Sequence, residues 1–236
     1  MRLRFVPEAA GIIEASPFVV HEPEAMRGRW HTGSRPLYIE IGMGKGRFLI
    51  ETAALHPDAD YVGIERYGSV LFRACERMEG IPYKTPADKL ERLEHPEREE
   101  AFVPPQNLRF LNIDARALPA CFAEEEIDGI YLNFSDPWPK ARHARRRLTS
   151  GNFLSLYEKV LKKGGQLEFK TDNQALFAFS TEEIRQKDGW ELKAVTFDLH
   201  RDPVLGQGNV MTEYERRFSN LGNRICKLIA VWNPAS

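Results

Sequence analysis

An acid and an indole flank Pro137 in the segment Ser135-Asp136-Pro137-Trp138-Pro139. Five cations follow within eight residues, Lys140, Arg142, Arg145, Arg146 and Arg147, with His143 among them. A carboxylate can oppose positive charge that builds on a bound group, an indole can wall a flat ring, and a comb of cations can hold phosphates. Each proline fixes its own φ and biases the residue before it away from helix, so Asp136 and Trp138 are expected to be extended in a stiff turn. A solvated surface loop is the plain alternative for the basic run, but the adjoining Asp-Pro-Trp-Pro turn favours the grip. Trp138 taken alone fits ordinary packing as well as contact with a base.

A second set of residues could hold a nucleoside-type ligand. Gly42, Gly44 and Gly46 alternate in Glu40-Ile41-Gly42-Met43-Gly44-Lys45-Gly46, which follows one apolar run and precedes another. Strand, glycine turn, helix is the context in which backbone can approach a ligand at a helix N-terminus. The spacing is neither a dinucleotide fingerprint, since Arg47 stands near the third glycine position, nor a Walker loop. Lys45 and Arg47 are expected on the surface. Glu65 closes the next apolar run, where an acid can accept hydrogen bonds from both ribose hydroxyls; a simple surface acid is the alternative. Glu40 lies inside its strand, a costly place for a carboxylate unless it meets a cationic ligand group or a neighbouring Lys or Arg. Asp114 could face an adenine amino group or cap a helix, and Asp172 could cap a helix or join the same crevice.

The elements that must position these residues alternate. Strands are expected at Leu37–Ile41, Asp60–Ile64, Leu108–Ile113, Ile127–Phe134 and Gln166–Lys170. Helices follow over Phe48–Leu55, Tyr67–Met78, Ala115–Phe122, Phe153–Leu161 (ended by Gly164-Gly165) and from Asp172 to about Lys187. Trp190–Leu199 and Ile225–Trp232 read as two more strands in an antiparallel return, with a short helix at Thr212–Phe218. The pattern is α/β: a doubly wound, mostly parallel sheet of seven strands whose ligand lies beyond the carboxyl ends at the switch point. Glu65, Asp114, Asp136 and Asp172 all fall at strand tips.

At 236 residues and 42% hydrophobic, the chain suits one core, read as a domain over 35–236. Residues 1–34 are expected to form an irregular N-terminal arm, or one whose Arg2, Arg4, Arg27, Arg29 and His31 add cationic contacts. Residues 80–106 read as a charged, proline-bearing insertion, in which a short exposed helix is expected at Ala87–Glu94. Basic and acidic residues nearly cancel, 33 against 34, so any polyanion partner must be held by a local patch. The three cysteines share no metal-like spacing and are expected to be buried thiols in a reducing compartment. With no signal pattern or membrane-length apolar run, a cytoplasmic location is expected.

The glycine turn resembles the cofactor loop of S-adenosylmethionine-dependent methyltransferases. Asn133-Phe134-Ser135-Asp136-Pro137-Trp138-Pro139-Lys140, with Arg147-Leu148-Thr149, resembles the bacterial tRNA (guanine-N7)-methyltransferase family. Lys170-Thr171-Asp172-Asn173 and Thr212-Glu213-Tyr214-Glu215, with Phe218, are similar to that family's later motifs. The resemblance implies S-adenosylmethionine as cofactor without a metal, contacts to it at Glu40, Glu65, Asp114 and Asp136, and Asp136 as catalytic residue. It also implies tRNA as substrate, held at Lys140, Asp172 and Thr212–Glu215, with the variable loop as target. The chain would act as a monomer or homodimer. Thr212 and Tyr214 fit equally a helix cap and core. Two rivals stand beside this reading: a methyltransferase for an exocyclic amino group, suggested by a distant likeness of Asp136-Pro137-Trp138-Pro139, and an RNA-binding protein without turnover.

Overall fold

The computed structural model describes residues 6–81 and 102–234. Short apolar runs form the strands β1 (Leu37–Ile41), β2 (Asp60–Ile64), β3 (Leu108–Leu111), β4 (Ile127–Asn133), β5 (Leu161–Thr171), β6 (Trp190–Thr196) and β7 (Cys226–Trp232). They build one sheet in the order β3-β2-β1-β4-β5-β7-β6. β1, β2, β3, β4 and β5 pair in parallel, and β7 runs antiparallel to both β5 and β6. Only β7 is therefore reversed, rather than the last two strands together. The order changes direction between β1 and β4, and the crevice at that switch point is where their carboxyl ends empty.

Helices α1 (Ala9–Ala15), α2 (Arg47–Leu55), α3 (Gly68–Met78), α4 (Leu118–Cys121), α5 (Gly151–Tyr157), α6 (Gln174–Gln186) and α7 (Glu213–Asn220) flank the sheet. Two buried apolar clusters result among the described residues. One gathers Ile39, Leu132, Phe169 and Phe177, and the other Leu49, Tyr61, Leu71 and Phe110. None of the described helices is long and apolar enough to cross a membrane.

Three stretches depart from expectation. The fifth strand begins at Leu161, which pairs with Ile127, and the helix before it stops at Tyr157. Gly164, at φ +80°, sits where the β4–β5 register shifts, so it belongs to a bulge rather than a helix stop. The helix expected over Ala115–Phe122 is a 3-10 turn (Ala115–Ala117) followed by α4, whose Pro119 sits early enough to be tolerated.

Residues 6–34 are packed rather than irregular. Phe110 N–H donates to the Phe18 carbonyl at 2.8 Å and Val20 N–H to the Phe110 carbonyl at 3.0 Å, extending the sheet past β3. Trp30 stacks on Phe122 at 5.3 Å and its Nε1 donates to the Cys121 carbonyl. The buried Glu126 carboxylate accepts from the backbone N–H groups of Gly28, Trp30 and Ala123. The expected helix at Ala87–Glu94 lies outside the described residues. All three cysteines are free and buried.

Candidate active site

The carboxyl ends of β1, β2, β3 and β4 open into a cleft of about 720 Å³, a size suited to a small ligand. Gly42, Glu65, Asp114, Asp136 and Trp138 line it, with Arg66, Arg116, Arg145 and Arg146 at its walls and Phe134 and Phe153 beside them. A smaller cavity of about 480 Å³ lies under the N-terminal segment, among Ile13, Val19, His21 and Asn112. It holds none of the strand-tip acids, so the larger cleft is the candidate site.

The glycine turn is shaped by backbone need. Gly46 takes φ +76°, and a Cβ there would stand 2.9 Å from Ala74 Cβ, so α2 can begin close against α3 only without a side chain. Gly44 N–H donates to Glu65 Oε2 at 3.1 Å, and Tyr67 N–H donates to Oε1 at 2.9 Å. Glu65 thus ties the turn to the tip of β2. Burial pushes its carboxyl up, against the pull of those N–H groups. Arg47, expected on the surface, is buried and paired with Glu51 one turn later.

Glu40 is 1% exposed inside β1. Its Oε1 accepts from Asn133 Nδ2 at 2.8 Å, while Oε2 is buried and accepts nothing from the described residues. Burial pushes the carboxyl up to about 7, even with the Asn133 bond and the Lys170 charge pulling the other way. A buried carboxylate oxygen without a donor fits a ligand's ammonium group. Asp114 caps the 3-10 turn through Arg116 N–H. It also takes Arg116 Nε at 2.7 Å and lies 3.6 Å from Arg66. Hydrogen bonds from Arg116 chiefly hold its carboxyl down to about 2. Capping and facing the cleft both hold for Asp114.

Beyond Asn133 the backbone turns sharply. Phe134 and Trp138 take φ +53° and +40°, left-handed values unusual for bulky residues. Trp138 is therefore not extended as expected. Such conformations cost about 1–3 kcal/mol each and persist where surrounding contacts hold them. Here Phe134 N–H donates to the Lys170 carbonyl, and Arg147 donates from Nε to the Pro137 carbonyl and from its terminal nitrogen to the Trp138 carbonyl. Arg147 also covers the Phe179 ring at 4.2 Å, so it clamps the turn. Arg146 lies 5.0 Å over the indole of Trp138, and His143 meets its edge. The basic run is a 3-10 helix, Ala141–Arg146, with Lys140, Arg142, Arg145 and Arg146 exposed. Asp136 is exposed between the two left-handed residues.

Of the remaining expected residues, Tyr214 lies next to Phe134, and none of Asp172, Thr212, Glu213, Tyr214 and Glu215 lines the cleft. Thr212 caps α7 by accepting from Glu215 N–H at 2.9 Å. Tyr214, 43% exposed, stacks on Phe218 and approaches Phe134 at 4.9 Å. Asp172 accepts from Asn223 Nδ2, while Asn173 supplies the α6 cap. Glu213 pairs with Lys45 and Arg77, joining α7 to the glycine turn and α3. Glu215 is the correction in this group. It is fully buried and accepts from Lys170 Nζ at 2.8 Å, His200 Nε2 at 2.9 Å and Asn209 Nδ2 at 2.7 Å. Burial would raise its carboxyl, but the Lys170 charge and these bonds hold it below its usual range. An acid so enclosed holds α7 in place and has no surface for RNA. Sequence reading missed His200, in the 3-10 turn Leu199–Arg201, and Asn209, in the loop after it; neither belongs to a motif. It also missed Asn133 as the partner of Glu40, although both belong to quoted segments.

Comparisons with known proteins bear on the family and the fold. A family model described as "Putative methyltransferase" matches residues 34–228. A tRNA (guanine-N(7)-)-methyltransferase of Lachnoclostridium phytofermentans is 46% identical over 233 residues, covering 98% of each chain. One from Geobacillus thermodenitrificans is 47% identical over 238 residues, covering 99% of each. Among solved structures, the 16S rRNA methyltransferase KamB matches with a TM-score of 0.57 at 16% identity, over 90% of this chain and 93% of that one. The 16S rRNA (adenine(1408)-N(1))-methyltransferase from Catenulisporales acidiphilia gives 0.54 at 16% identity, over 99% and 97%. These two share the fold. Neither the exocyclic-amino reading nor the non-catalytic one accords with the full-length relatives. The chain belongs to the bacterial tRNA (guanine-N7)-methyltransferase family, S-adenosylmethionine-dependent enzymes that methylate guanine N7 in tRNA.

Proposed function

We propose that the cleft takes S-adenosylmethionine between the glycine turn and Asp114 and presents a guanine of the tRNA variable loop to it beside Asp136. Glu40, whose Oε2 accepts nothing from the described residues, meets the amino group of the cofactor, Glu65 its ribose hydroxyls and Asp114 its adenine amino group. The cofactor supplies an electrophilic methyl on a sulfonium. The protein's task is alignment, which contributes about 7–11 kcal/mol in well-oriented systems. Guanine N7 carries an in-plane lone pair, so no proton must be removed; with the methyl donor bound, an N7–C bond would form as its C–S bond broke. Positive charge passes to the purine, and Asp136 opposes it. Trp138 walls the pocket. Lys140, Arg142, Arg145 and Arg146 hold phosphates, and Arg147 keeps the turn that carries Asp136. Asp172 and Tyr214 face the substrate side. One chain supplies every residue named, so a monomer is a complete unit whether or not it pairs, and a tRNA substrate suits a cytoplasmic location.

The observation that carries this reading is the convergence of Gly42, Glu65, Asp114 and Asp136 on one cleft. Incubation with methyl-labelled cofactor and unmodified tRNA, followed by borohydride–aniline scission, tests it. Scission at one variable-loop guanine is expected. Label elsewhere in the tRNA removes the variable loop from the account, and label without scission removes N7.

A further inference from the structure

We propose that Phe134, backed by Tyr214 and Phe218, is the shelf on which the target guanine stacks, and that its π face stabilises the positive charge the purine acquires. The inference rests on the reading of Asp136 given above. Phe134 stands two residues before Asp136 and lines the same cleft. Its left-handed backbone ends the β4 pairing and turns the residue out of the strand. Behind it Tyr214 lies 4.9 Å away at 37°, and Phe218 stacks on Tyr214 at 4.1 Å and 24°. Tyr214 and Phe218 are one turn apart on α7, and the buried Lys170–Glu215 pair holds that helix against β5. Three rings thus form a continuous aromatic row, and Phe134 is its end in the cleft that Asp136 also lines.

A base taken out of its own stack needs a replacement surface, and aromatic side chains provide one. Face-on stacking leaves the whole edge of the purine free, including the N7 lone pair, for an in-plane approach to the methyl group. During transfer the purine becomes cationic, and a cation over an aromatic face is attracted by the ring quadrupole. The shelf therefore favours the transition state and the product over the neutral guanine.

Phe134→Leu keeps an apolar side chain of similar bulk and removes the π face. Single-turnover methylation of tRNA by this variant is expected to fall about 10-fold or more, with cofactor Kd unchanged. Competition by free nucleosides gives a second readout: wild type is expected to bind 7-methylguanosine several-fold more tightly than guanosine, and Phe134→Leu to lose that preference. Phe134→Trp is expected to recover most of the loss, which a mere packing defect would not allow. Unchanged turnover and unchanged nucleoside preference in a folded Phe134→Leu protein would overturn the proposal. So would a loss confined to cofactor affinity, which would place the ring against the donor. Asp136→Asn run alongside separates the two ideas: if it also keeps full activity, the reading of the acid fails, and if it alone is impaired, only the shelf fails.

Discussion

Replacing Glu40 by Gln tests the cofactor side of the site through proton linkage. Burial raises this carboxyl from 4.5 in the unfolded chain to about 7 in the folded protein without ligand. Between those values the folded state holds a proton that the unfolded state has released. Stability therefore falls as pH rises through this window and stays low above it, the opposite of an ion-paired acid. At about 1.4 kcal/mol per unit, the loss is about 3 kcal/mol from pH 4.5 to pH 8. Glu40→Gln removes the titration. Urea unfolding without cofactor should show the variant gaining on wild type by about 2–3 kcal/mol between pH 5 and pH 8. The same substitution should weaken S-adenosylmethionine binding by at least 10-fold at pH 8, because the ligand's ammonium loses its counter-charge. Binding to wild type should expel roughly one proton at pH 6 and nearly none at pH 8, by linkage. Calorimetry in buffers of different ionisation enthalpy measures this. A stability gap that does not change with pH, together with no proton release at pH 6, would refute the reasoning.

Three further outcomes follow from other parts of the structure. Arg145→Ala with Arg146→Ala should lower the slope of log affinity against log salt for tRNA by roughly 1.5, at about 0.7–0.9 per phosphate contact, and leave cofactor Kd unchanged; an unaltered slope in a filter-binding titration would show that these exposed cations do not touch phosphate. Lys170→Met leaves Glu215 buried without its main countercharge and should destabilise the fold by about 3–5 kcal/mol in urea unfolding; a loss below about 1 kcal/mol would mean that His200 and Asn209 suffice to hold that acid. Gly46→Ala combines a left-handed backbone with a contact 2.9 Å from Ala74 Cβ and should cost about 2 kcal/mol or more in thermal unfolding, whereas Gly42→Ala, with open space around its Cβ direction, should cost about 1 kcal/mol; equal losses would count against the close α2–α3 approach.

The alternation of apolar runs with helical stripes reveals most of the fold because a parallel sheet buries both faces of its strands. The acids of the cleft were readable for a related reason: each ends an apolar run, and strand ends share one edge of such a sheet. The start of β5 was not readable. Val160 and Leu161 continue the helical stripe, and Gly164-Gly165 looks like a stop. Only pairing of Leu161 with Ile127 turns the chain into strand, and Gly165 is needed there because a Cβ would press on the Leu161 side chain at 2.7 Å. Trp138 escaped because Pro139 biases it toward extended backbone, while the Arg147 clamp on two carbonyls favours a different turn. Glu215 looks like a surface acid in a polar helix. Its burial depends on Lys170 arriving from β5 and His200 and Asn209 from the stretch after β6, contacts that no local pattern encodes. The order of residues 6–34 likewise depends on distant partners, Phe110, Phe122 and Glu126.

Asp136 carries the greatest weight, and one variant examines it directly. Asp136→Asn preserves shape and removes the charge that opposes the forming purinium. Single-turnover transfer from saturating S-adenosylmethionine to unmodified tRNA is expected to slow by about 100-fold or more, roughly 3 kcal/mol of barrier, with Kd for both ligands within about threefold of wild type. A variant that transfers the methyl group at the wild-type rate would contradict the assignment of this acid to the chemical step.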